Sequence, residues 1–335
     1  MGQATTVTPS NVYAATKVVA VGSDLALYPE RVYVPDSSSA AVDVIDPATF
    51  AVVRHFAVGQ IPYHITPSWD MKALYVGNEA SGSLTVIDPV TSTPVTTIRV
   101  PHPYNMYFTP DGKTTIVVAE REGRLVLMDR LTWTVQGTIP IAWPGVDHMD
   151  FSADGTYALA SSEFAGMVAK IDLASRQLVG AVRVGGNPID VRLSPDGSVF
   201  YVANQGRGGV SVIDPLAMTE TSFIPTGRGA HGFQLSRDTT RLYVSNRLEG
   251  SISVIDLETR QVVAKWHTGG SPDMLQLSPD GLQLWASGRF DRSVYVIDTT
   301  AGALLKNIHV GLQPHGLTYF PNVGRYSVGH NGVYR

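Results

Sequence analysis

The sequence predicts an all-β protein, a seven-bladed β-propeller with four-stranded blades, and two series of evenly spaced residues indicate it. In the first series a turn carboxylate or its amide follows an apolar segment every 41 to 43 residues, at Asp70, Asp111, Asp154, Asp196, Asp238, Asp280 and Asn322. The second series has the same spacing and ends segments of the type "VID", at Asp46, Asp88, Asp129, Asp172, Asp214, Asp256 and Asp298. A repeat of about 42 residues with several short strand signals is typical of a propeller blade.

One repeat, residues 231–268, shows the predicted strands in order. Apolar Phe233 and Leu235 alternate with polar residues before a turn, and "RLYVSN", "SISVID" and "QVVAKWHT" follow. Each segment is short, rich in Val, Ile and Tyr, and bounded by Gly, Asp, Asn or Ser, which favours strands over helices. A single blade cannot cover its own faces, so stacking seven blades around an axis is what buries them.

The two ends of the chain predict how the ring closes. "RVYVPD" at residues 31–36 and "AAVDVID" at residues 40–46 correspond to second and third strands without a first strand before them. The missing strand is "HGLTYF" at residues 315–320, so we expect the C-terminal strand to complete the N-terminal blade. Residues 1–335 are therefore predicted to form a single β-propeller domain with repeats from 31 to 320. Residues 1–29 and 324–335 are terminal extensions.

Composition excludes several classes of function. The 335 residues carry a net charge of −4 and no run of like charges, so no nucleic-acid partner is expected. No segment approaches the roughly 18 apolar residues of a membrane span. Cys is absent, which excludes disulfides and thiolate metal sites. Because the first residues are neither basic nor apolar, we expect a signal peptide to have been removed and the protein to be extracytoplasmic, either periplasmic or secreted.

Three tetrapeptides connect the repeat to a known family. "YVGN" at residues 75–78, "YVAN" at 201–204 and "YVSN" at 243–246, together with "LSPDG" after positions 192 and 276, resemble the YVTN-repeat family of seven-bladed β-propellers. The resemblance covers residues 31–320 and implies the same fold. Similar repeats occur in surface-layer proteins, amine dehydrogenase heavy chains, haem d1 domains of nitrite reductases, and lactonase-like or lyase-like enzymes. Function must therefore be argued from the site.

The innermost strand of each blade precedes the first-series turn, and its start should lie at one mouth of the central channel. Alternation along a strand assigns apolar residues to the spaces between blades and polar ones to the channel. Counting back from the turn residue, positions −6 and −7 place imidazole, carboxylate and phenol groups at this mouth. We predict His64, His148, His231 and His315 as metal ligands, and Tyr63, Tyr104, Asp190 and Asp273 as cofactor-binding or ligand-binding residues.

This residue set predicts a divalent or redox metal, with Cu, Fe, Zn, Mn and Ni as the alternatives that suit imidazole and carboxylate ligands. Other loops of the same face bring Glu120 and Glu163, candidates for a general base or a carboxylate ligand. Arg192 projects into the channel near Asp150, where its partner is either that carboxylate or the carboxylate of a substrate. The remaining charged loop residues, Arg247 and Arg289 among them, are expected to be solvated.

Two classes of function remain. The first is a site at the channel mouth where a metal binds a small, anionic or oxygen-rich ligand, for Lewis-acid lyase or hydrolase chemistry or for metal-dependent oxidation. The alternative is a non-catalytic scaffold of the cell envelope that binds a partner protein. The sequence contains no nucleophile elbow, P-loop or dinucleotide fingerprint. Noncovalent binding of a d1-type haem stays open as a minor alternative.

Overall fold

A computed structural model of the chain describes residues 11–13 and 27–322. Seven antiparallel sheets of four strands form the blades, which confirms the predicted fold class. From the innermost strand outward, blade 1 contains β28 (Thr318–Phe320), β1 (Arg31–Asp36), β2 (Ala41–Asp46) and β3 (Ala51–Ala57). Blade 2 contains β4 (Pro62–Pro67), β5 (Leu74–Asn78), β6 (Ser83–Asp88) and β7 (Thr93–Arg99).

The other five blades follow the same order. Blade 3 contains β8 (Asn105–Phe108), β9 (Thr114–Ala119), β10 (Arg124–Asp129) and β11 (Val135–Pro140). Blade 4 contains β12 (Val146–Phe151), β13 (Tyr157–Ser162), β14 (Met167–Asp172) and β15 (Gln177–Arg183). Blade 5 contains β16 (Pro188–Leu193), β17 (Phe200–Asn204), β18 (Gly209–Asp214) and β19 (Thr219–Pro225). Blade 6 contains β20 (Ala230–Leu235), β21 (Arg241–Asn246), β22 (Ser251–Asp256) and β23 (Gln261–His267). Blade 7 contains β24 (Pro272–Leu277), β25 (Gln283–Gly288), β26 (Ser293–Asp298) and β27 (Leu304–His309). The described helical residues are two short 3-10 turns, at Glu120–Glu122 and Glu163–Ala165.

The burial of each strand follows from its position in the blade. Innermost strands such as β16 and β20 are buried along their whole length, because neighbouring blades cover both faces. Outer strands such as β23 alternate between exposed and half-buried residues. The first-series turns are fixed by their acids: Ser236 Oγ donates to Asp238 Oδ1 at 2.6 Å, and Thr240 N donates to the same oxygen at 3.0 Å. These bonds are the physical reason for the regular spacing seen in the sequence.

The ring closes as predicted, with the C-terminal strand in the N-terminal blade. β28 pairs antiparallel with β1, and Phe320 lies opposite Arg31. The strand is shorter than residues 315–320, because one extra residue lies between the bridge of Pro314 to Asp36 and the pair of Thr318 with Tyr33. The predicted terminal extensions fall largely outside the described residues.

A β-bulge interrupts the innermost strand of five blades, and its position matters for the site. In blade 4 the pair Val146–Ser162 is followed by Met149–Ala160, so two residues of β12 lie opposite one of β13. Blades 2, 5, 6 and 7 have the same register shift in β4, β16, β20 and β24. A bulge lets consecutive side chains point to one side of the strand. Positions −7 and −6 occupy these bulges, which explains why both contribute side chains to the channel mouth.

The innermost strands contact one another around the axis and begin at the mouth. At the opposite end of the innermost strands, residues 11–13 contact blades 5 and 6. Val12 N donates to Pro195 O at 2.8 Å, and the buried Tyr13 hydroxyl donates to Leu193 O at 2.9 Å. Within the two described ranges no helix has the length and apolar character needed to cross a membrane.

Candidate functional site

The predicted metal ligands His64, His148, His231 and His315 lie in one layer at the start of the innermost strands. All four imidazoles are buried. The ring of His64 lies 5.0 Å from that of His148 and 4.7 Å from that of His315, centroid to centroid. His315 is in turn 5.8 Å from His231. Four different blades therefore supply one continuous row of imidazoles.

Glycines next to two of these histidines make room for the neighbouring blade. A Cβ on Gly316 would lie 2.0 Å from His64 Nδ1, so no larger residue fits beside that ring. A Cβ on Gly232 would lie 2.5 Å from the carbonyl oxygen of Asp273. Each glycine thus permits the close approach of one innermost strand to the next.

Asp273 is the centre of the charged half of the layer. Its Oδ2 lies 2.5 Å from His315 Nδ1, and its Oδ1 lies 3.1 Å from His231 Nδ1 and 2.7 Å from Arg247 Nε. Burial alone would raise the pKa of Asp273, but Arg247 and the two histidines hold it well below its ordinary range. Burial lowers the pKa of His315 to about 4. The layer therefore contains one carboxylate shared by two neutral imidazoles and a guanidinium.

On the other side of the layer, Tyr104 connects His315 to Asp147 and His148. Its hydroxyl lies 3.3 Å from His315 Nε2 and interacts with the Asp147 carboxyl. His148 Nε2 lies 3.3 Å from Asp147 Oδ1, and its Nδ1 lies 3.2 Å from Asn105 Nδ2. Burial, followed by the charge of Glu163, raises the pKa of Asp147 well above its ordinary value.

Hydrogen bonds and close polar contacts join these groups in one chain across the mouth. Because Nδ1 of His315 faces a carboxylate, its Nε2 is the acceptor for the Tyr104 hydroxyl. Arg247 Nη2 likewise contacts His231 Nε2, which can only accept from a guanidinium. We call this chain the mouth network; its members in order are His148, Asp147, Tyr104, His315, Asp273 and Arg247.

A second layer of half-exposed side chains lies above the mouth network. Glu120 and Glu163, predicted as general bases, start the two 3-10 turns, and burial together with neighbouring carboxylates raises the pKa of Glu120 to about 8. The ring of Tyr63 lies 4.9 Å from that of Tyr104 and 5.4 Å from the Arg289 guanidinium. Carboxylates and guanidinium groups thus both face the accessible side of the mouth.

Asp190 and Arg192, also predicted for the site, lie apart from the histidine row. The two carboxylate oxygens of Asp190 accept from Val191 N and Phe233 N, each at 2.9 Å, and so join blade 5 to blade 6. Arg192 is buried with its Nη2 3.9 Å from Asp190 Oδ2. Burial opposes its charge, yet Asp190 and Asp150 raise its pKa.

Sequence reasoning did not select Asp147, Arg247 or Arg289, although all three belong to the site. The first was visible at position −7, and the two arginines were assigned to solvated loops. The position of the two arginines in the repeat could have identified them, because Arg247 and Arg289 occupy the same place in consecutive repeats, directly after β21 and β25.

The histidine row, as placed, lacks the geometry of a metal site. Across the described ranges, no three His, Asp or Glu side chains are arranged to hold a metal ion. His315 and His231 each have both ring nitrogens next to a protein group, Asp273 on one side and Tyr104 or Arg247 on the other. The residues as placed do not fit a metal without rearrangement.

Comparisons with known proteins address the family and the fold. A family model described as YNCE-like beta-propeller matches residues 2–325. The search of curated proteins found no match to the sequence. Among solved structures, a functionally unknown protein from Desulfotomaculum acetoxidans DSM 771 is 17% identical with a TM-score of 0.75, covering 86% of this chain and 98% of that chain.

Two further solved structures are those of proteins with a named function. Hydrazine synthase from Kuenenia stuttgartiensis is 23% identical with a TM-score of 0.69, and the match covers 84% of this chain and 97% of that chain. Dihydro-heme d1 dehydrogenase NirN in complex with DHE is 20% identical with a TM-score of 0.66, covering 87% of this chain and 75% of that chain. At these identities the similarity shows the fold alone.

Proposed function

This chain belongs to the YNCE-like beta-propeller family, and from that premise we propose that its channel mouth binds a small polar ligand and exchanges a proton with it. The mouth network is the observation that carries the proposal. Titratable groups from several blades are joined in one buried chain, and burial with neighbouring charges moves their pKa values in opposite directions, down at Asp273 and up at Asp147. Such separation of pKa values is typical of sites that move protons.

The accessible layer indicates where the ligand enters. The imidazoles are buried, whereas Tyr63, Glu120 and Glu163 are half-exposed above them. A ligand therefore contacts the upper layer first, and the mouth network acts from beneath it. Glu120, whose pKa is raised to about 8, is the group best placed to exchange a proton with the ligand.

The proposal is tested with a panel of small carboxylates, amines, polyols and amino acids, measured by ligand-induced shifts of the melting temperature. We expect at least one class to stabilise the wild type, and Tyr63→Ala to weaken that ligand at least fivefold. Tyr157→Ala, which removes a half-buried tyrosine at the opposite end of a blade, is the matched control. Calorimetry in buffers of different ionisation enthalpy should show proton exchange that Tyr104→Phe reduces. A panel without effect, or equal effects of both alanine variants, would overturn the proposal.

Metal binding at His64, His148, His231 and His315 stays a prediction, and at His231 and His315 an ion would have to displace the present contacts with Asp273, Arg247 and Tyr104. A bound metal would supply Lewis-acid or redox chemistry at the mouth. Elemental mass spectrometry on protein purified without a His tag measures it directly. Near-stoichiometric metal in the wild type, absent from a His64→Ala/His148→Ala/His231→Ala variant, would establish the site. No metal after reconstitution would reject it.

One observation favours the alternative of a scaffold that binds a partner protein. Phe164, Leu248 and Phe290 are exposed on loops of the mouth face. Under this alternative the mouth network is dispensable for partner binding, whereas Phe290→Ser combined with Leu248→Ser abolishes it. The opposite pattern in a binding assay with a candidate partner rejects the scaffold.

A further inference from the structure

The residue that directly follows the second strand lies at the same place in every blade, above the mouth. From blade 1 to blade 7 this position is Ser37, Glu79, Glu120, Glu163, Gln205, Arg247 and Arg289. We call these seven the rim residues. Read around the ring, three acids on blades 2 to 4 face two bases on blades 6 and 7, with neutral residues on blades 1 and 5. The rim is therefore divided into an acidic half and a basic half.

Two of the three acids in the acidic half have no paired cation among the described residues. Glu79 is paired with Arg121 at 2.8 Å, but Glu120 and Glu163 form no ion pair within the described ranges. Below them lies the Asp147 carboxyl, and its proximity raises the pKa of Glu120. Buried or half-buried carboxylates that repel one another are relieved by a positive charge placed between them. This half of the rim therefore favours a cationic group.

The basic half contains two arginines that are fixed by hydrogen bonds to neutral groups. Arg247 Nη1 donates to Gln205 Oε1 at 3.2 Å, and Arg289 Nη1 donates to Ser37 Oγ at 2.6 Å, so each arginine is positioned by a neutral rim residue. Asp273 neutralises Arg247, whereas Arg289 has no acidic partner among the residues the structure describes. Arg289 also lies over the ring of Tyr63, 5.4 Å from its centroid. A guanidinium fixed in this way is suited to a carboxylate.

We infer that the mouth selects a small zwitterion, with its ammonium group between Glu120 and Glu163 and its carboxylate on Arg289. The inference rests on the proposed function, because it names the ligand class of the same site. The opposed halves explain the choice: a ligand with one charge satisfies one half and leaves the other unpaired, whereas a zwitterion satisfies both. The separation between the two halves also sets a preferred distance between the ligand charges.

The test measures the affinity of the full chain for ω-amino acids of increasing length, from glycine to 6-aminohexanoate, by isothermal titration calorimetry. Each compound is compared with the alkylamine and the carboxylate that carry only one of its charges. We expect one chain length to bind at least tenfold more tightly than either half-compound. Equal binding of a half-compound and its zwitterion would overturn the inference.

Isosteric variants assign the two ends. Glu120→Gln and Arg289→Gln should each weaken the best zwitterion at least tenfold. Glu120→Gln should leave binding of the carboxylate half-compound unchanged, and Arg289→Gln that of the amine. Glu258→Gln and Arg183→Gln, which alter exposed residues away from the rim, are the matched controls. Should Glu120→Gln fail to fold, Glu163→Gln tests the same half. Unchanged affinity in both rim variants would contradict the inference.

The two proposals fail differently. If a neutral polyol or a simple carboxylate binds at Tyr63 and no ω-amino acid does, the mouth is a ligand site and the zwitterion is rejected. If no compound of either set binds, the proposed function itself fails.

Discussion

Asp273 is the residue on which the described site depends most. It is a single buried carboxylate that neutralises Arg247 and faces Nδ1 of both His231 and His315. Removing one partner of a buried ion pair leaves the other charge without compensation, which costs about 3–5 kcal/mol. We therefore predict that Asp273→Asn lowers the free energy of unfolding by about this amount, measured by urea denaturation.

The matched control is Asp298→Asn, in an exposed turn where the carboxylate accepts only from backbone N–H groups of Thr300 and Ala301. Its expected cost is below about 1 kcal/mol. A similarly small cost for Asp273→Asn would show that the charge of Asp273 is not needed for the stability of the fold.

A second prediction at the scale of a residue concerns pH. Burial and the neighbouring carboxylates raise the pKa of Glu120 to about 8, so at pH 6 its side chain is neutral and attracts an ammonium group weakly. The affinity for the best ω-amino acid should therefore rise as pH increases from 6 to 9, while the ligand amine stays protonated. Calorimetry across this range measures it, and Glu120→Gln should remove the dependence. A wild-type affinity that is flat with pH would be inconsistent with ionisation of Glu120.

The first blade contains an unusual pair of acids at the closure of the ring. Asp36 ends β1 where other blades have Asn78, Asn204 or Asn246. In blade 6 the amide of Asn246 donates to Ser253 Oγ at 3.0 Å, and in blade 1 the position of that serine is Asp43. Two carboxyl groups can hydrogen-bond only when they share a proton, so Asp36 must be protonated to replace the amide.

The surroundings of this pair support a neutral Asp36. His55 Nδ1 lies 2.7 Å from Asp43 Oδ1, and Gly311 N donates to Asp43 Oδ2 at 2.9 Å, so each oxygen of Asp43 has a partner outside the pair. Burial, followed by the charge of Asp43, raises the pKa of Asp36 to about 9, although the backbone N–H of Gly311 and the charge of Arg292 lower it.

The sign of the resulting pH dependence follows from proton binding. Between the ordinary pKa of an unfolded Asp and about 9, the folded chain binds one proton more than the unfolded chain at Asp36. This group therefore lowers the free energy of unfolding as pH rises through that range. We predict that Asp36→Asn raises the melting temperature, and that its advantage over the wild type grows from pH 5 to pH 9.

A suitable control for this prediction is Asp36→Asn combined with Asp43→Ser, which recreates the pair of blade 6. Its melting temperature should depend on pH as little as that of Asp36→Asn alone. An advantage of Asp36→Asn that is the same at pH 5 and pH 9 would mean that Asp36 does not carry the proton.

At the scale of elements, the strands could be predicted from the sequence, but part of the site could not. The repeat predicted the blades and the closing strand, because turn acids and apolar alternation are local signals. The repeat also predicted that positions −6 and −7 both reach the mouth. It did not predict the β-bulge that causes this, because the bulge arises from pairing with the next strand. Hydrogen bonds between blades, such as those that occupy Asp190, depend on the packing of neighbours and leave no local signal. The charge order of the rim residues was readable from the aligned repeats, but only once the end of the second strand was known.

At the scale of the whole molecule, the site exists only while the ring is closed. Seven blades each place one rim residue, and His315 enters the mouth network from the segment that precedes β28. The closing strand therefore has two roles, one in stability and one in the site. Opening the ring would separate His315 from Asp273 and Tyr104 and would interrupt the network between blades 7 and 3.

Truncation tests this dependence. Ending the chain after Leu312 removes β28 and with it the buried side chains of Leu317, Tyr319 and Phe320. Burial of three such side chains contributes on the order of 5 kcal/mol or more, comparable to the whole stability of a typical domain. The edge of β1 would also lose its pairing partner. We predict loss of the cooperative melting transition and rapid proteolysis of the truncated chain. Ending the chain after Asn322 instead keeps all 28 described strands and is the control. A cooperative transition in the shorter chain, at an unchanged temperature, would show that six complete blades hold the ring without the closing strand, and the site would then have to tolerate the loss of His315.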